Sequence, residues 1–239
     1  MKLLFFSLIV FLGLHSFAQN DAVINDANAQ KRTLNAAFTA ISVSDGVDLF
    51  LTQGNEESIA VSASDTKYLE RYKTLVENGV LKIYYDNKGI AWIGSDKRKL
   101  KAYVSFKILE TLNASGGAEV VLKSVLNLDN IECSFTSGST LNGEVNIRNL
   151  TISQNSGSEI EINGKADNLK IEVSSGAILK GYDLIVDYCD AKATSGGSVR
   201  INVNKELNAK ANSGGGIRYK GNGVIKDVNV NSGGVVKKG

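Results

Sequence analysis

The side chains that could do chemistry in this chain recur at nearly constant spacing. A Ser-Gly pair is repeated at Ser115-Gly116, Ser137-Gly138, Ser156-Gly157, Ser175-Gly176, Ser195-Gly196, Ser213-Gly214 and Ser232-Gly233. Successive serines are 22, 19, 19, 20, 18 and 19 residues apart. A nucleophilic serine needs a neighbouring base, and seven equivalent serines cannot all be catalytic. We therefore interpret the pairs as turns of a stacked repeat, in which each serine hydroxyl reaches the next unit.

A second periodic set lies five residues after the turn serines and becomes basic toward the C-terminus. Its members are Asn142, Glu161, Lys180, Arg200, Arg218 and Lys237. If the units stack, Lys180, Arg200 and Arg218 form one row at roughly 5 Å spacing, which suits an extended polyanion such as an acidic polysaccharide. The alternative is a solvated face whose like charges discourage strand pairing. The formal net charge of +2 favours this alternative.

Three carboxylates raise the question of an enzyme. Asp183, Asp187 and Asp190 cluster in the sequence, and Arg200 or Arg218 could serve as the base of a calcium-dependent polysaccharide lyase. No D-x-D-x-D-G calcium loop is present. Two of the aspartates also fall between the turns, where loops are expected. We therefore predict no catalytic residue, no cofactor and no metal site, and the lyase stays as an alternative.

Composition excludes several classes of function. The single histidine, His15, lies in a predicted signal peptide, so the mature chain has no imidazole. This excludes Ser-His-Asp and Cys-His catalysis and histidine-bound zinc. A net charge near zero gives no reason to expect a nucleic-acid partner. The absence of proline beside 24 glycines is typical of hydrogen-bonded strands joined by tight turns.

The N-terminus has the pattern of a secretory signal. A basic start, an apolar run over 3–14 and small residues at Ser16 and Ala18 predict a signal peptide over 1–18, cleaved before Gln19. The apolar run is too short for an ordinary membrane span, and no later segment is apolar enough. The sequence thus predicts export to the periplasm, the cell surface or the medium.

The residues around each turn alternate between apolar and polar. Apolar residues stand four residues after the turns, at Leu141, Ile160, Leu179, Val199, Ile217 and Val236. A period of two inside a period of nineteen to twenty indicates coils of strands with one face inward. The sequence predicts an all-β, right-handed, single-stranded parallel β-helix over 113–239. A β-sandwich would not keep the same column chemistry, and a left-handed β-helix favours six-residue units that are not found.

The N-terminal part is less regular. Residues 19–35 are polar and predict a flexible lead-in, and 36–112 read as a strand-rich segment. Asp65 could cap one short helix that extends to Val76, and Asn78-Gly79 predicts a turn. This segment is either a separate sandwich or the first irregular coils. We favour coils, because Ser44-Asp45-Gly46 looks like a variant of the later turns.

Trp92 stands out in the charged loop 86–99, beside Ile90 and Ile93. We favour the interpretation that it covers the open N-terminal end of the stack, and the alternative is an exposed anchor for a partner or a sugar.

The two cysteines are not expected to pair. Cys133 and Cys189 lie three repeats apart in different columns, beyond the Cα separation of about 7 Å that a disulfide spans.

The chain resembles a known family in its composite motifs. These are SDGVDLFLTQG at 44–54, ENGVLKIYY at 77–85 and the SGG segments that begin at 115, 195, 213 and 232. Over about 36–239 it resembles the putative auto-transporter adhesin head GIN domain family of Bacteroidetes-type bacteria. The resemblance implies a β-helical fold related in shape to pectate lyases, and brings no catalytic residues with it.

The favoured hypothesis is an exported, non-catalytic cell-envelope protein that binds through its outer columns as an adhesin does. Its partner would be a glycan or a cell-surface or envelope protein, with Lys180, Arg200, Arg218 and Trp92 as candidate contacts. A lyase-like enzyme is one alternative. The other is a structural protein that forms homo-oligomers through its open last coil, 231–239, although Lys237 and Lys238 could block that edge.

Overall fold

The computed structural model describes residues 26–89 and 97–239. Strands make up 63% of the structure. They are β1 (Gln30–Arg32), β2 (Ala40–Val43), β3 (Asp48–Gln53), β4 (Ser58–Ser62), β5 (Tyr72–Glu77), β6 (Val80–Tyr85), β7 (Lys101–Phe106), β8 (Thr111–Ala114), β9 (Glu119–Leu122), β10 (Leu126–Phe135), β11 (Thr140–Gln154), β12 (Glu159–Val173), β13 (Ile178–Ala193), β14 (Ser198–Ala211), β15 (Gly216–Lys220), β16 (Val224–Val230) and β17 (Val235–Lys238).

The regular part of the chain is a stack of parallel coils. Leu150 of β11 pairs with Leu169 of β12, which pairs with Cys189 of β13, and this residue pairs with Leu207 of β14. Each step moves the chain by one coil of about 19 residues, over about seven turns. The predicted all-β parallel solenoid is therefore confirmed. Its parallel sheets are buried on the inner side and solvated on the outer side.

Six of the seven Ser-Gly pairs adopt the same left-handed turn, and at the first pair the two left-handed residues are Gly116 and Gly117, one position later. From Ser137 to Ser232 the turn serines have φ between 47° and 54°, and the glycines that follow them have φ between 71° and 74°. Two consecutive positive φ values are the geometry of a type I′ turn, which glycine accepts readily in the second place. Asp45 and Gly46 have the same geometry, with φ of 62° and 70°.

Backbone groups, rather than serine hydroxyls, link one turn to the next. The amide of Gly176 donates to the carbonyl of Ser195 at 3.2 Å, and the amide of Gly196 donates to that of Ser213 at 3.2 Å. Between turn serines of the described chain we find no hydroxyl-to-hydroxyl hydrogen bond. The prediction that serine hydroxyls connect successive turns is therefore wrong, because backbone amide and carbonyl groups of the left-handed turns form these hydrogen bonds.

The core is one continuous column of apolar side chains. Leu141, Ile160, Leu179, Val199 and Ile217 stack in register and are almost fully buried. Both cysteines are free and buried, as expected. Burial raises the pKa of Cys133 to about 12 and also raises that of Cys189. Both thiols are therefore protonated at neutral pH.

The N-terminal strands extend the stack in an order that differs from the chain. Ile41 of β2 pairs with Leu112 of β8 on one side and with Leu81 of β6 on the other. Likewise β3 lies between β9 and β7. The coil made by β6 and β7 is therefore outermost. Antiparallel β5 borders β6 and antiparallel β4 borders β7, and β1 pairs with the other edge of β4.

The helix predicted from Asp65 is mostly wrong. Asp65 does cap a helical turn, since its carboxylate accepts from the amide of Lys67, but the turn is a 3₁₀ helix of only three residues, Thr66–Tyr68. Tyr72 and Leu75 lie in β5 instead. Strand β5 pairs with β6 around the Asn78-Gly79 turn, and this hairpin overrides the helical spacing.

The lead-in predicted as flexible over 19–35 contains ordered structure. Residues 30–32 form β1 on the edge of β4. Upstream of it, the Asp26 carboxylate accepts hydrogen bonds from the hydroxyls of Ser62 at 2.6 Å and Tyr103 at 2.9 Å. Residues 26–32 therefore pack on the N-terminal end of the stack, at the edge formed by β4 and β7.

Replacing Asp26 by asparagine is expected to lower the free energy of unfolding by about 1 kcal/mol at neutral pH. The Ser62 hydrogen bond, with help from Tyr103, lowers the pKa of Asp26. A lowered pKa means that the stabilisation is present above the ordinary carboxyl pKa and is lost as the pH falls through the lowered value. Urea unfolding at neutral and acidic pH measures this. The exposed Asp227→Asn is the control, and an Asp26→Asn effect independent of pH would contradict the assignment.

Candidate functional site

The basic side chains predicted to form a row stand in one column of the structure. Lys180 pairs in register with Arg200, Arg200 with Arg218, and Arg218 with Lys237. Lys180, Arg200 and Arg218 each follow a residue of the buried apolar column, and Lys237 follows the half-buried Val236, so the strand alternation points these side chains to solvent. The backbone positions that carry these cations therefore repeat at about 5 Å along the stack.

Lys180 is not a free member of this column. Its Nζ lies 2.5 Å from Oε1 of Glu159 and 3.5 Å from Oε2 of Glu161. The hydrogen bond to Glu159 raises the pKa of Lys180, and the charges of both glutamates add to this. Within residues 26–89 and 97–239, Arg200, Arg218 and Lys237 form no such ion pair. We call these three residues the basic strip.

A gap lies beside the basic strip, and the sequence analysis missed it. The neighbouring outward column holds the residues three positions after the turn serines. From Ser156 onward these are Glu159, Ile178, Ser198, Gly216 and Val235. The side chains shrink at Ser198 and Gly216, and a Cβ placed on Gly216 would meet no atom within 4 Å. The sequence feature that could have predicted this gap is the pair of small residues, Ser198 and Gly216, each three positions after a turn serine. Arg200 and Arg218 thus border an open space between Ile178 and Val235.

The column that contains the basic strip becomes aromatic toward the N-terminus of the stack. Phe50 pairs in register with Tyr103, and their rings stack with centroids 5.1 Å apart at an angle of 14°. The ammonium of Lys123 lies 5.9 Å from the centre of the Phe50 ring. The faces that these two rings turn toward each other are therefore not free to stack on a ligand.

The three carboxylates considered for a lyase each have a partner of their own. Asp187 lies 2.7 Å from the Lys205 ammonium, which lowers the pKa of Asp187. Asp183 lies 3.8 Å from Lys220, and Asp190 accepts from Asn208 at 2.6 Å. In the part of the chain that the structure describes, no three His, Cys, Asp or Glu side chains are grouped to hold a metal. The aspartates therefore do not converge on one point.

A shallow groove of about 380 Å³ runs along another face. Its lining residues are Lys170, Ile171, Glu172, Asp190, Ala191, Lys192, Asn208, Lys210 and Asp227. Lys192 pairs with Glu172 at 3.4 Å, so part of its charge is already compensated. The mixed charges make it a weaker candidate for an ionic ligand than the basic strip.

The last complete coil shows its core side chains to solvent. Ile225, Val228 and Val230 occupy the register of buried Leu207, Ala209 and Ala211, yet they are 40–44% exposed. No strand covers this side of β16 within the described residues.

Two predicted features lie outside the described residues. These are Trp92, with its neighbours in 90–96, and the signal peptide over 1–18. Separately, the structure contains no helix long and apolar enough to span a bilayer within residues 26–89 and 97–239.

Comparison with known proteins adds a family and a fold. A family model described as "Putative auto-transporter adhesin, head GIN domain" matches residues 37–223, whereas no curated protein matches. A solved putative adhesin from Bacteroides fragilis has a TM-score of 0.78 at 15% identity, over 88% of this chain and 95% of that one. A putative lipid binding protein from Parabacteroides distasonis has a TM-score of 0.67 at 20% identity, over 90% and 98%. At these identities the two structures support the fold alone.

Proposed function

The chain belongs to the putative auto-transporter adhesin head GIN domain family, and we propose that it is an exported, non-catalytic binding domain that acts as an adhesin does. Its outward columns are the surfaces that would contact a cell-surface molecule. The coils hold these columns rigidly, since every coil except the last is paired on both sides.

One observation carries the non-catalytic part of the proposal. The acidic residues that could form a lyase centre, Asp183, Asp187 and Asp190, are each engaged with a different partner, and within the described residues they are not grouped to hold a cation. A calcium-dependent lyase requires its carboxylates to converge on one cation, because Ca²⁺ takes about six to eight oxygen ligands. A surface of solvated, parallel columns suits binding instead.

Export is the second part of the proposal. The pattern over 1–18 supports it, as does membership of a family whose description names adhesins. The partner would be a glycan or an envelope protein.

The test combines localisation with binding. We expect cells that express the full chain to carry a processed protein that begins at Gln19 outside the cytoplasm. The purified protein should bind a glycan array or whole cells without releasing unsaturated sugar from polygalacturonate with calcium. An unprocessed cytoplasmic protein would contradict export, and a steady release of unsaturated product would replace binding with catalysis.

Assembly through the open coil is a second candidate, favoured by the exposure of Ile225, Val228 and Val230. Light scattering should then give more than one subunit. A strictly monomeric mass at high protein concentration would remove this candidate.

A further inference from the structure

We propose that the basic strip, Arg200, Arg218 and Lys237, together with the gap at Ser198 and Gly216, binds an extended acidic polysaccharide, one sugar unit for each coil. This inference rests on the proposed binding function and names the ligand class and its position.

The first argument is uncompensated charge in a fixed register. The parallel pairing places Arg200 beside Arg218 and Arg218 beside Lys237, so three cations stand on backbone positions about 5 Å apart and repel one another. The preceding coils show a different solution, because Lys180 is held between Glu159 and Glu161. A bound row of anions would relieve the repulsion that the described protein groups leave in place.

The second argument is the distance between charges. Strands of a sheet repeat at about 5 Å, and a pyranose unit in an extended chain advances by a similar length. A polymer with a carboxylate or sulfate on each unit can therefore place one anion on each cation. Arginine suits this role, since its planar guanidinium donates two parallel hydrogen bonds to such groups.

The third argument is space. The outward column beside the basic strip is filled by Ile178 on one side and Val235 on the other, but it is open at Ser198 and Gly216. A sugar ring could lie in this gap with its acidic group on Arg200 or Arg218. The Ser198 side chain in the same gap would supply a hydroxyl for a hydrogen bond to the sugar.

The position of the site is limited at one end. Glu161 stands next to Lys180 in the same column, and its carboxylate would repel an anionic polymer. The charged contact should therefore begin at Arg200 and extend toward the C-terminus, over about three coils.

Other polyanions fit less well. Single-stranded nucleic acid is bound by aromatic faces on which bases stack, and the rings of this column, Phe50 and Tyr103, lie far along the stack and contact each other. A lipid surface presents many headgroups at once and would not depend on the gap at Ser198 and Gly216.

Binding of polygalacturonate and chondroitin sulfate to the full chain, measured by calorimetry at low and physiological salt, tests the site. We expect the triple variant Arg200→Ala, Arg218→Ala, Lys237→Ala to bind about tenfold more weakly or worse, with a smaller salt dependence. The control Lys165→Ala, Lys170→Ala, Lys210→Ala removes the same charge from other faces and should change affinity by less than about twofold. Equal losses in the two triple variants would overturn the proposal.

A second variant separates shape from charge. Gly216→Val keeps every cation and fills the gap, and valine is favoured in strands, so the protein should fold at least as stably. We expect its affinity for the polymers to fall about fivefold or more, as for a loss of about 1 kcal/mol. Unchanged affinity would exclude the gap.

The arms of the experiment distinguish the possible ligands. Neutral dextran, vesicles with anionic lipid and single-stranded DNA should bind at least about tenfold more weakly than the acidic polysaccharides. Equal binding to vesicles or DNA would overturn the ligand class. If neither polysaccharide binds but the protein still attaches to cells or to a glycan array, the basic strip is not the site and the adhesin-like function survives.

Discussion

Replacement of Gly215 by alanine is expected to lower the free energy of unfolding by about 3 kcal/mol or more. The reason is a contact with backbone, which cannot move away as a flexible side chain can. A Cβ on Gly215 would lie 2.2 Å from the carbonyl oxygen and 2.4 Å from the carbonyl carbon of Ala193 in the preceding coil. Relief of this clash requires the backbones of the two coils to shift apart at the turn.

The neighbouring glycine supplies the matched control. Gly216→Ala adds the same methyl group one residue later, where no atom lies within 4 Å of the new Cβ. Its stability should stay within about 0.5 kcal/mol of the parent protein. Thermal unfolding of both variants measures the difference, and Gly215→Ala should melt about 10 °C lower. Similar melting temperatures would show that the turn is not sterically limiting.

The difference between Gly215 and Gly216 shows which features of the fold the repeated sequence pattern can predict. The period of the Ser-Gly turns and the alternation around them predicted parallel coils, because one geometry is imposed at every turn. The residue types at the turn also had a physical cause, since glycine tolerates the positive φ that follows each serine. Which of two adjacent glycines is obligatory depends on the coil below, and no local pattern contains that contact.

The N-terminal half shows the opposite limit. Asp45-Gly46 was recognisable as a turn of the same kind, and its φ values of 62° and 70° agree with the later turns. The order of the coils was not predictable, because β6 and β7 pair on the far side of β2 and β3. Helical spacing over Tyr72 and Leu75 misled for a related reason, since a hairpin partner decides the conformation of that segment.

For the candidate site, the sequence predicts the positions of the basic residues but not their ion pairing. Column membership follows from spacing, so Lys180, Arg200 and Arg218 could be placed in one row without a structure. Whether each cation is ion-paired depends on residues in its own column and in the adjacent column. Only the structure shows that Glu159 and Glu161 pair with Lys180. The basic strip therefore shifts by one coil toward the C-terminus relative to the row expected from sequence.

Replacement of Phe135 by alanine should cost about 3–5 kcal/mol of unfolding free energy, the range for a large aromatic residue removed from a core. Phe135 is fully buried and pairs in register with Ala114 on one side and Gln154 on the other. Because alanine already occupies the preceding coil, that neighbour cannot fill the space left by the ring. A cavity would remain in β10, which joins the N-terminal coils to the regular stack.

A solenoid is stabilised by contacts between nearest coils, so a defect in β10 should also weaken the coupling of the two halves. We expect Phe135→Ala to lose hydrogen-exchange protection in β8, β10 and β11 before β13 and β14, and to show a broader urea transition. Ser134→Ala, one residue earlier on the solvent side, should stay within about 0.5 kcal/mol of the parent. A decrease in unfolding free energy of less than about 1 kcal/mol for Phe135→Ala would mean that stability does not depend on this junction. Uniform hydrogen exchange along the stack would mean that the coils unfold as one unit.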